Sequence, residues 1–222
     1  MRWPWFDIGA QLRDRLALRV TLGSIYICIL LAYVLGVPDA DRFPGMMPRA
    51  DATPYTALPF DMTSFAFLMF GVLLSLEQPS DYLLADNWKV YVRRRRGVSR
   101  YMRYLAVVFA YALAFSFPQL VIIWLAVRGS FNTYVLAGFA CSTGMLIVLL
   151  LVVNIARMLG SRAVGYLMCL LVAYGYSGIG DIQHVFAAHT LGTVPNWSII
   201  IVVAVVGMAT VNIAIYNHKE LL

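Results

Sequence analysis

Six stretches of this chain run for about the length of a membrane crossing with almost no charge inside them, at 20–37, 60–78, 104–127, 132–156, 163–180 and 196–217. A hydrocarbon core roughly 30 Å thick takes about 20 apolar residues to cross as a helix. In that solvent each backbone N–H and C=O must be satisfied within its own segment, so the runs read as helices. Composition agrees: 61% of the 222 residues are hydrophobic and 13% are charged, against about a quarter charged in a soluble chain. The fold class is therefore all-α, a polytopic membrane bundle of six spans in one domain over 1–222. No room remains for a large extramembrane catalytic domain. The second run is the weakest, because its charge-free part covers only 62–76 and must borrow from Glu77 and Gln78 or thin the bilayer.

Lysine and arginine fall unevenly between the runs. The segment before the first has Arg2, Arg13, Arg15 and Arg19; the third gap has Lys89, Arg93–Arg96, Arg100 and Arg103; Arg157, Arg162 and Lys219 continue the series. That is fourteen, against Arg42, Arg49 and Arg128 in the alternate gaps. Basic excess marks the cytoplasmic side, so both termini are expected in the cytoplasm of a multi-pass plasma-membrane protein. The net charge of +6 is then explained by topology and by anionic inner-leaflet lipid, and no nucleic acid is needed as a partner. Cys28, Cys141 and Cys169 lie inside apolar runs and read as small buried hydrophobes. No cleavable leader is expected, because the first apolar run has no small-residue exit.

Two cytoplasmic pieces have helical periodicity. In 1–19, Trp5, Ile8, Leu12 and Leu16 share a face, with Trp3 and Trp5 suited to headgroup depth, giving an interfacial amphipathic helix. In the 79–100 loop, Ser80 or Asp81 can cap a short helix on which Leu84, Trp88 and Tyr91 align. That helix ends in Arg93, Arg94, Arg95 and Arg96, and Gly97 permits a reversal into the third span.

The string Arg93-Arg94-Arg95-Arg96-Gly97-Val98-Ser99-Arg100-Tyr101, set between two spans and four, resembles the small ABC-2-type export permeases. The resemblance covers nearly the whole chain in architecture and rests in sequence on this string. It implies a permease that pairs with a second copy and with separate ATPase subunits. The loop helix, through Leu84, Trp88, Tyr91, Arg93–Arg96, Gly97, Ser99 and Arg100, would then be the coupling element. It also implies a break or re-entrant segment on the outer side between the last two spans, in the region from Gly175 through Tyr176, Ser177, Gly178, Gly180, Asp181 and His184 to Pro195. Glycines 175, 178 and 180 are expected to fray the helix there. The outer loop 39–61, with four prolines, is longer than that pattern.

The chain's own chemistry is sparse. Its two lysines, Lys89 and Lys219, follow no Gly-x-x-x-x-Gly, so no ATP-binding loop is present and ATP with magnesium is expected only in the partner. Gly175-Tyr176-Ser177-Gly178 has the look of a rhomboid intramembrane protease, but a nucleophilic serine needs a histidine at the same depth. The last span offers only His218, at its inner end. Asp181, His184 and His189 lack the regular spacing of a zinc site. Ionisable residues, which mark ion and proton routes, are absent from the span cores. Gln119, Asn154, Asn212, Ser142, Thr143 and Thr210 read mostly as helix-to-helix glue, and Ala106, Ala110 and Ala114 as a stripe for close approach. Gln119, beside a kink expected at Pro118, is the exception kept as a pathway residue, with Tyr176, Ser177, Asp181 and His184 at the outer gate.

The expected function is the non-catalytic permease subunit of an ATP-driven exporter carrying an amphiphilic cargo such as a peptide, a drug or a lipid-linked molecule, with membrane lipid around it. The alternative is a non-transporting immunity or assembly scaffold.

Overall fold

The computed structural model describes residues 16–36, 43–45, 62–75, 98–126, 133–188 and 195–218. Their regular structure is entirely helical: α1 Leu16–Gly36, α2 Met62–Ser75, α3 Val98–Ala126, α4 Thr133–Met158, α5 Arg162–Gly178, α6 Gly180–Ala187 and α7 Asn196–His218. Helices α1, α3, α4 and α7 are long and apolar enough to cross a membrane. The pair α5 and α6, bent by 72° at its junction, makes a fifth if it is one broken span. At 1.5 Å per residue the 14 residues of α2 extend only about 21 Å. It is an apolar helix shorter than the hydrocarbon core.

Two helices begin earlier than the hydropathy runs. α1 starts at Leu16, so Leu16 and Arg19, expected in the interfacial segment, belong to the same helix as the first span, while residues 1–15 lie outside the described residues. α3 starts at Val98 and takes up Ser99 and Arg100 from the end of the 79–100 loop. Helical backbone geometry does not stop where hydropathy does, and polar residues continue a helix into the aqueous layer. α3 also continues as helix through Pro118. A proline there removes one backbone donor, and neighbouring helices can compensate within a bundle.

α4 is the centre of the assembly, packing against α2, α3, α5 and α7. From Cys141 to Met158 nearly every one of its side chains is buried. α7 buries only Ile201, Asn212 and Tyr216, and leaves Val202, Val203, Val206 and Val211 uncovered. Such apolar surface suits lipid rather than water. α3 turns Tyr101, Tyr104, Val108, Ala112, Ser116, Gln119 and Ile123 inward. This corrects the expected alanine stripe: Ala106, Ala110 and Ala114 are exposed, on the face of α3 turned away from that buried set.

Close approaches fix the helix order. At Gly144 a Cβ would stand 2.6 Å from Ile201 Cγ2, and at Gly165 one would stand 2.9 Å from Ala156 Cβ. The α4–α5 connection is a three-residue reversal, 159–161. Gly160, with φ +93°, lets the Ser161 N–H reach the Ala156 carbonyl at 3.0 Å and its own N–H reach Arg157 at 3.1 Å. Ser161 then caps α5, its hydroxyl accepting from the Val164 N–H.

These contacts set α4 and α7 parallel, α4 and α5 antiparallel, and the start of α1 beside the end of α2. One end of the bundle therefore collects all five arginines among the described residues. Arg19 is at the start of α1, Arg100 and Arg103 at the start of α3, and Arg157 and Arg162 flank the α4–α5 turn. Asp181, the one carboxylate among the described residues, is on α6 at the opposite end.

Candidate functional site

The sequence-derived candidates fall into groups set by which helices carry them. Leu84, Trp88, Tyr91, Arg93–Arg96 and Gly97 lie outside the described residues. Ser99 is exposed at the start of α3, in the first turn that also holds Arg100, so this part of the arginine string stands at the arginine-rich end.

At the other end, α5 stops at Gly178 and Ile179 turns the chain, in extended conformation, into α6. The expected fraying at Gly175 does not occur; the helix runs on through it, with only the Ile182 side chain in ordinary contact. Two polar contacts hold the bend. The Gln183 amide donates to the Ser177 carbonyl at 2.7 Å, and Gln183 is wholly buried. Asn196 at the start of α7 donates its backbone N–H to Ala188 (2.9 Å) and its side-chain amide to Val185 (3.1 Å). Gln183 thus satisfies a carbonyl that the break leaves over at the end of α5, and Asn196 satisfies two at the end of α6. Tyr176 packs edge-on against Phe186, and its hydroxyl is 3.1 Å from the Cys141 thiol.

Of the outer-gate candidates, Tyr176 and Ser177 are buried, whereas Asp181 and His184 are exposed on α6. The Ser177 hydroxyl donates to Ala173 at 2.6 Å, so it packs against its own helix instead of facing a histidine. Among the described residues no three of His, Cys, Asp and Glu gather as metal ligands; His189 lies outside them. Gln183 has no sequence signature of its own, and only its position one and a half turns past a broken helix end makes it structural.

Gln119 sits in a different place, buried on α3 against Tyr26 of α1. The Tyr26 hydroxyl approaches the Gln119 amide without hydrogen-bond geometry, and Tyr26 Oη, Gln119 Oε1 and the nearby Ser116 Oγ are buried without partners. An aromatic layer lies beneath: Tyr26 meets Phe70 and Phe115, both at 5.4 Å between centroids, and Phe115 meets Phe67. Phe67 and Phe139 both pack edge-on against Phe43. Gly45, at φ +83°, brings the short 43–45 segment so near that a Cβ would stand 2.7 Å from the Phe67 ring.

Among the residues read as glue, Asn154 and Asn212 hold helices together. Asn154 donates to Asn212 Oδ1 at 2.6 Å, and Asn212 donates to the carbonyls of Leu151 on α4 (3.2 Å) and Met208 on its own helix (2.8 Å). Both are fully buried. Ser142 and Thr210 donate to carbonyls of their own helices, Gly138 and Gly207, and Thr143 Oγ1 has no partner. Cross-helix phenols complete the joints, Tyr101 donating to Ala209 at 2.8 Å and Tyr111 to Gly71 at 2.6 Å. No family model, curated protein or solved structure matches the chain.

Proposed function

We propose that this protein is the membrane-spanning permease subunit of an ATP-driven exporter. It pairs with a second copy and couples to a separate ATPase that binds and hydrolyses ATP with magnesium. The observation that carries the reading is the 72° break after Gly178, which lies between the last two long helices, at the end opposite the arginines. A segment bent there, tied by Gln183 and Asn196, is a suitable lid for a path between helices. The gathering of arginines at the other end supports cytoplasmic termini in the plasma membrane. Six spans follow if α2 crosses a locally thinned bilayer and α5 with α6 counts as one.

In this mechanism the chain does no covalent chemistry. Closure of the ATPase pushes on Leu84, Trp88, Tyr91 and the Arg93–Arg96 block, and α3, which starts at the end of that string, transmits the push past Gln119. The faces among the helices are mainly apolar, which favours an amphiphilic cargo. The test is Trp88→Ala with Tyr91→Ala in an export assay. Insertion and ATPase binding are expected to persist while export falls to background. Full export from the double variant overturns the assignment of this loop as the coupling element.

A further inference from the structure

Arg19 has a second role that a topology signal does not require. It is the fourth residue of α1 and lies half-buried between the start of α1, the last turn of α2 and the middle of α3. One guanidinium nitrogen, Nη2, points at the Ser75 carbonyl at 3.5 Å, in the last turn of α2, where unpaired carbonyls give a helix end negative character. Its Nε is buried with no hydrogen-bond partner. Tyr111 of α3 is within electrostatic reach, but its hydroxyl is already committed to Gly71. No carboxylate among the described residues shares this end of the bundle. The result is a half-buried guanidinium in the first turn of α1, turned toward the end of α2 and with donors left over.

We propose that Arg19, wedged between α1, α2 and α3, holds a phosphate group, supplied by the headgroup of an anionic membrane lipid. A planar guanidinium presents a fork of donors that fits phosphate oxygens in pairs. Basic pockets between membrane helices on the cytoplasmic side are the places where such headgroups bind. The acyl chains of the same lipid would lie along apolar side chains already uncovered on one face of α1, Leu18 and Ile25 among them. The site rests on the membrane reading of the fold and not on the transport reading.

The full chain, purified in mild detergent, is loaded with phosphatidylglycerol or phosphatidylcholine, and bound lipid is counted by native mass spectrometry. The wild type is expected to retain phosphatidylglycerol preferentially. Arg19→Gln is expected to weaken that retention about tenfold, the effect of losing one charge-assisted hydrogen bond to the phosphate. Arg19→Lys keeps part of it, because the charge stays and the fork is lost. Arg103→Gln, an exposed arginine at the same end, changes it less than about twofold. Equal losses for Arg19→Gln and Arg103→Gln, or no loss for either, overturn the proposal by showing diffuse attraction. If Arg19→Gln fails to fold, the wild type decides: no preference for phosphatidylglycerol overturns the site. Displacement of the lipid by millimolar inorganic phosphate overturns the lipid as the source.

Discussion

Replacing Asn212 by leucine, which is close to the amide in size and so leaves little cavity, removes both bonds that join α7 to α4 through this residue. Hydrogen bonds between membrane helices contribute about 0.6 kcal/mol on average, with a maximum near 1.7. Two of them give about 1.2 kcal/mol. The larger effect is on Asn154, whose amide loses its bond in a wholly buried position, an omission that costs about 1–3 kcal/mol. Asn212→Leu is therefore expected to destabilise the bundle by about 2–4 kcal/mol. Asn154→Leu removes one cross-helix bond and leaves Asn212 Oδ1 without a donor, although the Asn212 amide keeps its two carbonyl partners, so its cost is expected to be about 2–3 kcal/mol. The double variant leaves no orphaned amide, and its cost should fall short of the sum of the singles by about 1 kcal/mol. Reversible unfolding in mixed micelles, with all four proteins in one lipid composition, measures the cycle. Additivity within about 0.3 kcal/mol would refute the pair as a joint between α4 and α7.

Other perturbations test the packing and the bend. Gly144→Ala places a methyl 2.6 Å from a branch of Ile201 that sits next to the backbone and cannot swing far. It should cost about 1–3 kcal/mol in the same unfolding assay, and Ile201→Ala in the same chain should recover much of the loss; no recovery would place the clash elsewhere. Gly160→Ala should cost about 1 kcal/mol because its φ of +93° is left-handed while space around it is open. Thermal unfolding checks this, and an unchanged midpoint would count against the turn. Gln183→Leu removes the bond to Ser177 that spans the break. Faster labelling of a cysteine introduced at the exposed Val185 is expected, and unchanged labelling would show that the bend is held without it.

The sequence made the helices legible because their hydrophobic length is a physical requirement of the solvent. It was less informative about their ends, since α1 and α3 each extend into charged sequence. The break was expected over a glycine-rich region. Gly175 nevertheless stays helical, because buried neighbours such as Ala173 and Tyr176 hold that turn in place. Periodicity alone could not choose between two faces of α3, both mainly apolar, and the buried one is the face that runs from Tyr101 through Ala112 to Ile123. Asn154 and Asn212 were recognisable as polar residues inside apolar runs, whereas their pairing depends on α4 and α7 lying parallel, which hydropathy does not encode. Arg19 read as a topology signal, and its contact with the end of α2 arises between residues 56 positions apart.

An exporter permease of this kind requires an ATPase as its partner. Tagged chain drawn from native membranes in mild detergent, followed by mass spectrometry of the soluble subunits that accompany it, shows whether one is bound. A P-loop ATPase at stoichiometric level is the expected result. Repeated recovery of the chain without one, across several detergents, would contradict the exporter reading and favour a non-transporting immunity or assembly scaffold.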